Sequence, residues 1–173
     1  MMERLRPDIY KNKISDIDFE HLKKNGIKVL LIDMDNTILK YKEKNIDEEA
    51  KCMIENLKKD FQILLFSNAS KRRVKQMSET ISIPYVSLAF KPCKRKFFKV
   101  FKEYKVEPCE VAIIGDQLLT DVKGGNKAGI TTILVSPLSE DENFFTRVNR
   151  RREKKIFKKM GAKGLFFKER YYE

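Results

Sequence analysis

The chain has 173 residues, of which 42% are apolar and 36% are charged, and its formal net charge is +12. This length is sufficient for one domain with an ample core, and no stretch is long and apolar enough to predict a transmembrane helix. The amino terminus has no apolar segment of the signal-peptide kind, and the three cysteines include no CxxC pair. We therefore expect a cytoplasmic protein without a disulfide framework or a zinc site.

The predicted elements alternate between helices and strands. Residues 1–26 form a helical lead-in, with a short helix expected at 15–25, and the first strand follows at 27–33. Further strands are predicted at 61–66, 84–88, 111–115 and 131–135, separated by helices at 47–59, 70–81, 93–105 and 118–128. This alternation favours an α/β core over 27–138, with a doubly wound, Rossmann-like parallel sheet of five strands.

The last predicted segment, 139–173, is a basic amphipathic helical tail. The run Ser139-Glu140-Asp141-Glu142 has the form of a capping box and predicts the start of a helix. From residue 147 onward, eleven Lys or Arg stand against three Glu. We therefore expect the tail to be electrostatically distinct from the core.

Acidic residues follow two of the predicted strands. The first strand is an uninterrupted apolar run that ends at Asp33 and Asp35, and the strand at 111–115 ends at Asp116, with Asp121 nearby. Such runs are typical of strands buried on both faces of a parallel sheet, and ligands bind outside the carboxyl ends of these strands. If both strand ends share one edge, four carboxylates lie close together, and Mg²⁺ would offset their repulsion.

Two further strand ends carry polar side chains. Ser67 and Asn68 follow the second predicted strand, and Lys91 follows the third. A carboxylate such as Asp33 can accept a phosphoryl group, and a second carboxylate two residues on, Asp35, can act as general acid and base. A hydroxyl, an amide N–H and an ammonium group can bind the phosphoryl oxygens on which charge develops.

The four strand ends together resemble the motifs of the haloacid dehalogenase (HAD) superfamily of aspartate-nucleophile phosphatases. The matching segments, over about residues 27–135, are Asp33-Met34-Asp35-Asn36-Thr37, Ser67, Lys91 and the run Gly115 to Asp121. The resemblance implies that Asp33 and Asp35 are catalytic and that phosphate is bound by Thr37, Ser67, Asn68 and Lys91. It also implies that Mg²⁺ is held by Asp33, Asp116 and the backbone carbonyl of Asp35, with Asp121 as a ligand or close by.

Finer features resemble the capless IIIA branch of this superfamily, and within it the YqeG-like family related to phosphatidylglycerophosphate phosphatases. These features are Ser15-Asp16-Ile17-Asp18, Asn68 with Arg73-Val74, the run Gly115 to Gly125, and Thr146-Arg147-Val148-Asn149-Arg150. The predicted helices and strands fill the chain between the motifs, so that neither usual insertion point holds a cap domain. The resemblance then implies an open site that accepts a large substrate or is closed by a partner.

The resemblance implies a Mg²⁺-dependent phosphomonoester hydrolase, with phosphatidylglycerophosphate as the best single substrate hypothesis and a soluble phosphorylated metabolite as the alternative. The basic tail is predicted to hold the enzyme on the cytoplasmic face of an anionic membrane. Its cations Arg150-Arg151-Arg152, Lys154-Lys155 and Lys158-Lys159 are accompanied by Phe157, Phe166 and Phe167.

Two other functions are alternatives. The same basic residues would serve an RNA backbone if the catalytic residues were idle, although no helix-turn-helix or stacking-sheet pattern supports this hypothesis. A receiver-type phospho-switch shares the sheet and the Asp acceptor, but receivers place the acceptor after the third strand, where Leu88-Ala89-Phe90 stands. The sequence leaves the oligomeric state open.

Overall fold

The structure is a computed structural model that describes residues 5–164. Its centre is a parallel sheet with the strand order β1-β6-β5-β2-β3-β4. The strands are β1 (Ile9–Lys11), β2 (Val29–Ile32), β3 (Gln62–Phe66), β4 (Tyr85–Val86), β5 (Val111–Gly115) and β6 (Thr131–Val135). The predicted α/β doubly wound architecture is confirmed.

The sheet has six strands, so the prediction of five was wrong. The additional strand is β1, which lies in the lead-in and pairs in parallel with β6, with Ile9 opposite Ile133. Three residues in a charged stretch are too few to show a strand pattern in the sequence. The Asp8 carboxylate strengthens this edge, because it accepts hydrogen bonds from the N–H of Thr132 at 2.7 Å and from its hydroxyl at 2.8 Å.

Within residues 5–164, six α-helices flank the sheet or follow it. They are α1 (Phe19–Lys24), α2 (Glu48–Leu57), α3 (Lys71–Ile81), α4 (Arg95–Tyr104), α5 (Lys123–Ala128) and α6 (Phe144–Ala162). The predicted start of α6 in the run 139–142 was wrong, because the side chain of Asn143 caps the helix by accepting from the N–H of Thr146 at 2.8 Å. Ser139 lies in the preceding loop and donates to Asn36 at 2.8 Å.

The two central strands are buried on both faces. In β2, Leu30 and Ile32 pack into the hydrophobic cluster on one side of the sheet, whereas Val29 and Leu31 pack into the cluster on the other. Since β2 lies between β5 and β3, the segments that follow these three strands leave the sheet side by side at one edge. This edge carries the residues singled out by the sequence.

The predicted tail packs on the core as far as the structure describes it. Met160 is fully buried in a small cluster with Leu118, Val122 and Leu134. Phe166 and Phe167 lie outside the described residues. Among residues 5–164, no helix combines the length and the apolar character needed to cross a membrane.

The three cysteines, Cys52, Cys93 and Cys109, are free and exposed.

Gly125 on α5 is the point of closest approach between that helix and the sheet. A Cβ atom there would lie 2.5 Å from Thr132 Cγ2 and 2.7 Å from Ile113 Cγ2, whereas a Cβ atom at Gly161 would meet nothing within 4 Å.

We expect Gly125→Ala to lower the free energy of unfolding by about 1–3 kcal/mol through overpacking. Gly161→Ala is the control and should raise it by about 0.5–1 kcal/mol, because Ala favours the helix. Urea denaturation measures both, and a Gly125→Ala variant as stable as Gly161→Ala would contradict this packing.

Candidate active site

The loop that follows β2 carries Asp33 into a buried position, with 5% of its surface exposed. Asn36 adopts a left-handed backbone conformation with φ 61°, which turns the chain back toward the sheet. The turn directs the Thr37 hydroxyl to the carboxylate of Asp116, at 3.2 Å from Oδ1. The ends of β2 and β5 are thereby joined by a direct hydrogen bond.

Lys91 is the central cation of the site. Its Nζ atom lies 2.7 Å from Asp33 Oδ1 and 2.6 Å from Asp121 Oδ1, and it donates to the Phe66 carbonyl at 2.7 Å. The side chain is only 2% exposed. Burial lowers its pKa, but the charges of Asp121 and Asp33 outweigh this effect and hold the pKa above the ordinary value. Lys91 is therefore a fixed positive charge between two carboxylates.

Asn68 holds the backbone of Lys91 in place. Its side-chain oxygen accepts from the Lys91 N–H at 2.8 Å, and its side-chain nitrogen donates to the Lys91 carbonyl at 3.1 Å. The neighbouring Ser67 is buried, and its hydroxyl accepts from the Ala69 N–H at 3.2 Å. The exits of β3 and β4 are thus linked at the site.

Three of the four predicted carboxylates form one compact group. Each of Asp33, Asp116 and Asp121 places a carboxylate oxygen within 4.8 Å of the other two, and all three are buried. Burial raises the pKa of both Asp116 and Asp121. The charge of Arg150 opposes this shift at Asp116, and the charge of Lys91 opposes it at Asp121. Three buried carboxylates at such distances are a donor set that a hard divalent cation prefers.

The Asp121 side chain packs closely against the end of β5. A Cβ atom at Gly115 would lie 2.3 Å from Asp121 Cγ, so only glycine permits this approach. One oxygen of Asp121 contacts Lys91, and the other accepts from the N–H of Gln117 at 3.1 Å and from the Thr120 hydroxyl at 3.3 Å. Oδ2 is therefore satisfied by hydrogen bonds, whereas buried Oδ1 has the ion-pair contact with Lys91 but no hydrogen bond from residues 5–164.

The carboxylate of Asp35 lies apart from this group. Its Oδ1 accepts from Arg73 Nη2 at 2.6 Å and from Nε at 3.2 Å. Burial raises the pKa of Asp35, and the hydrogen bonds and charge of Arg73 oppose that shift. Of the predicted metal ligands, Asp35 is thus the one whose side chain the structure does not bring to the cluster.

Two site residues, Arg150 and Glu153, were not identified in the sequence. The Arg150 guanidinium binds both the carboxylate and the backbone carbonyl of Asp116, and it also pairs with Glu142 at 2.6 Å and Glu153 at 3.1 Å. Glu153 is buried and accepts from the Leu119 N–H at 2.8 Å. The prediction had assigned Arg150 to the membrane-binding cations. The available signal was Glu153 itself, an isolated acid three residues after Arg150 in a basic run.

A pocket of about 390 Å³ opens beside Asp33, Asp35 and Lys91. Besides Asp33, Asp35 and Lys91, it is lined by Ser67 and Asn68 after β3, by Arg73 on α3, and by Asn143, Phe145, Thr146 and Asn149 at the N-cap and beginning of α6. No domain is inserted between β2 and β4 in this described part of the chain. The first two turns of α6 nevertheless supply one wall, so the pocket is less open than expected.

We expect Arg150→Ala to lower the free energy of unfolding by about 3–5 kcal/mol, because it leaves Asp116 and Glu153 buried without their cation. Arg151→Ala is the matched control. It removes the same charge from the next, exposed position and should change stability by less than about 0.5 kcal/mol. Urea denaturation in the presence of EDTA makes the comparison without a stabilising metal, and equal losses for the two variants would refute the role of Arg150.

Comparisons with known proteins agree with this geometry. Residues 2–139 match the family described as mitochondrial PGP phosphatase. The chain is 35% identical over 159 residues to "Probable phosphatase YqeG" of Bacillus subtilis, covering 91% of this chain and 92% of that protein. It is 29% identical over 170 residues to "Phosphatidylglycerophosphate phosphatase 1, chloroplastic/mitochondrial" of Arabidopsis thaliana, covering 92% of this chain but only 49% of that protein.

Solved structures support the fold. A HAD superfamily (subfamily III A) hydrolase from Legionella pneumophila aligns with a TM-score of 0.51 at 18% identity, covering 73% of this chain and 75% of that chain. The cobalt-bound deoxy-D-mannose-octulosonate 8-phosphate phosphatase from Haemophilus influenzae aligns with a TM-score of 0.52 at 16% identity, covering 83% of this chain and 95% of that chain. The chain therefore belongs to the family described as mitochondrial PGP phosphatase and is a YqeG-like phosphatase with a HAD-like fold, so that its substrates are phosphate esters.

Proposed function

We propose that this phosphatase is Mg²⁺-dependent, forms an aspartyl phosphate on Asp33 and hydrolyses phosphatidylglycerophosphate or a similar lipid-head phosphate. The observation that carries the proposal is the contact of buried Asp33 with the fixed cation Lys91, beside Asp116 and Asp121 and at the base of a pocket. A carboxylate held in this way is oriented for in-line attack, and the cation offsets the repulsion between the carboxylate and an approaching phosphate dianion.

In the first step, a carboxylate oxygen of Asp33 attacks phosphorus, and the bond from phosphorus to the ester oxygen breaks. Asp35 supplies the proton that the departing alkoxide needs. In the second step, Asp35 takes a proton from a water molecule while the water oxygen attacks phosphorus. The bond between phosphorus and the Asp33 oxygen then breaks, which releases inorganic phosphate. Arg73, hydrogen-bonded to Asp35 at 2.6 Å, orients this acid and base.

The phosphoryl oxygens would be bound by the Ser67 hydroxyl, the Asn68 backbone N–H and the Lys91 ammonium group. All three residues line the pocket beside Asp33. Thr37, also predicted to bind phosphate, is buried and does not line the pocket, and its hydroxyl donates to Asp116. Preorganised donors of this kind stabilise the charge that develops on the transferred group.

Asp33 and Asp116 would hold Mg²⁺, together with the backbone carbonyl of Asp35. When bound, the ion supplies charge neutralisation between the nucleophile and the phosphate. Asp121 lies beside these residues, where its Oδ1 contacts Lys91 and its Oδ2 accepts from the Gln117 N–H. The Arg150 guanidinium contacts Oδ2 of Asp116, and the Thr37 hydroxyl donates to Oδ1.

The lipid substrate is proposed from the family and from the name of the Arabidopsis relative. One structural feature favours the alternative, a soluble phosphorylated metabolite. Three of the four α6 residues that line the pocket, Asn143, Thr146 and Asn149, carry side chains that can bind the hydroxyls of a small polar substrate.

The covalent step predicts opposite behaviour for two carboxylate variants. Asp33→Asn should reduce phosphate release at least 10³-fold and form no phosphoenzyme, because an amide is a poor nucleophile. Asp35→Asn retains the nucleophile but lacks the base for the second step, so radiolabelled phosphate from an ester with a good leaving group should accumulate on the protein. Counting the radioactivity that remains on acid-quenched protein measures the phosphoenzyme in both variants. Normal turnover by Asp33→Asn would overturn the assignment of the nucleophile.

The substrate class is tested by phosphate release from phosphatidylglycerophosphate in mixed micelles, compared with soluble sugar phosphates and nucleotides. We expect kcat/KM for the lipid to exceed that of every soluble ester by at least tenfold, and EDTA to abolish release in all reactions that Mg²⁺ supports. The Asp33→Asn variant is the blank for contaminating phosphatases. A soluble ester turned over as efficiently as the lipid would favour the alternative.

A further inference from the structure

The side of α6 that faces away from the core defines a surface that the proposed reaction does not use. We call it the outer face of α6: Phe144 together with Arg147, Arg151, Arg152, Lys154, Lys155, Lys158 and Lys159, all of which are exposed. We propose that this outer face docks onto an anionic lipid bilayer and holds the end of α6 that adjoins the pocket at the membrane surface. The function of this docking, access to a lipid, rests on the proposed substrate. The contact between α6 and the bilayer rests on the exposed residues of α6 alone.

The core-facing residues of α6 and most of its exposed cations lie on different sides of the helix. Arg150, Glu153 and Met160 are turned to the core, where they bind the site or are buried. At 3.6 residues per turn, Phe144 and four of the basic residues at 147, 151, 155 and 158 fall within about 80° of one another on the opposite side. The site residues therefore fix which side of α6 faces outward.

The charge on the outer face has one sign. It carries seven exposed cations, and the acid on α6, Glu153, is buried on the other side. Among residues 5–164, none of these seven cations forms an ion pair. A row of cations along an exposed helix complements a surface of anionic lipid headgroups.

Two exposed aromatic residues mark the end of α6 that adjoins the pocket. Phe144 is 72% exposed and Phe145 is 80% exposed, and Phe145 also lines the pocket. Phe145 therefore links this exposed end of α6 to the rim of the pocket. Their planes are inclined by 79°, an edge-on arrangement that offers no flat platform for stacked bases. Insertion among lipid headgroups suits such a pair, which favours a bilayer over RNA.

A single tryptophan can report the contact, because the chain contains none. In Phe144→Trp, we expect a blue shift of the emission and quenching by brominated lipids when vesicles containing phosphatidylglycerol are added. Phe98→Trp is the control, since Phe98 is 49% exposed but lies on α4, away from the pocket. Its emission should not change. Equal quenching of the two reporters would overturn the proposed orientation.

Vesicle sedimentation separates the aromatic and the electrostatic contributions. Phe144→Ser should weaken partitioning about tenfold or more at every salt concentration, as expected for loss of a buried aromatic side chain, whereas Phe98→Ser should have no effect. The double variant Arg147→Ser/Arg151→Ser should weaken it at low salt only, because high salt screens the lost attraction. Lys99→Ser/Lys102→Ser removes two exposed cations from α4 and is the matched control.

Three results would overturn the docking proposal: equal retention by neutral and anionic vesicles, equal losses in the α6 and α4 variants, or tighter binding of a single-stranded RNA than of anionic vesicles. Hydrolysis of a short-chain, monomeric phosphatidylglycerophosphate tests the proposed function without a membrane. Turnover of that lipid without vesicle binding would overturn the docking alone. Vesicle binding without turnover of either lipid form would overturn the proposed substrate and leave the docking supported.

Discussion

The site depends on the balance between three buried carboxylates and the two cations that hold them. Asp33, Asp116 and Asp121 repel one another at the carboxyl ends of β2 and β5, and burial increases the cost of keeping each one charged. Lys91 approaches from the β4 exit and Arg150 approaches from α6. Neither cation could be omitted without leaving a buried charge uncompensated, so the site requires both the sheet and the helix that follows it.

This balance explains why the strand order matters more than the length of the strands. β2 and β5 are neighbours at the centre of the sheet, so the first and fourth motifs meet without long loops, and β3 and β4 bring Asn68 and Lys91 from the adjacent side. Gly115 completes the arrangement, because any side chain at this position would occupy the space that Asp121 needs. The apolar strands therefore set the distances on which the charges depend.

The sequence predicted those features that depend on short-range pattern. Apolar runs identified the central strands, and the motif residues at their ends do meet, with the Asp35 carboxylate turned instead to Arg73. The edge strand β1 was missed because three residues give no periodicity and its pairing with β6 is a long-range event. Arg150 was misassigned for a related reason. In sequence it is the first of three consecutive arginines, and only its position on the core side of α6 distinguishes it from exposed Arg151.

The two faces of α6 connect the chemistry of the site to the surroundings of the protein. The family match ends at residue 139, yet Arg150 and Glu153 of the later helix contact Asp116 and the Leu119 backbone. Because the same rigid helix exposes its cations on the opposite side, the orientation of any surface bound there is fixed relative to the pocket. A helix that only covered the core would not need seven exposed cations, and a free basic tail would not need a buried Glu153. One helix therefore contributes to the phosphatase site and, in the proposed docking, fixes the orientation of the pocket relative to the bilayer.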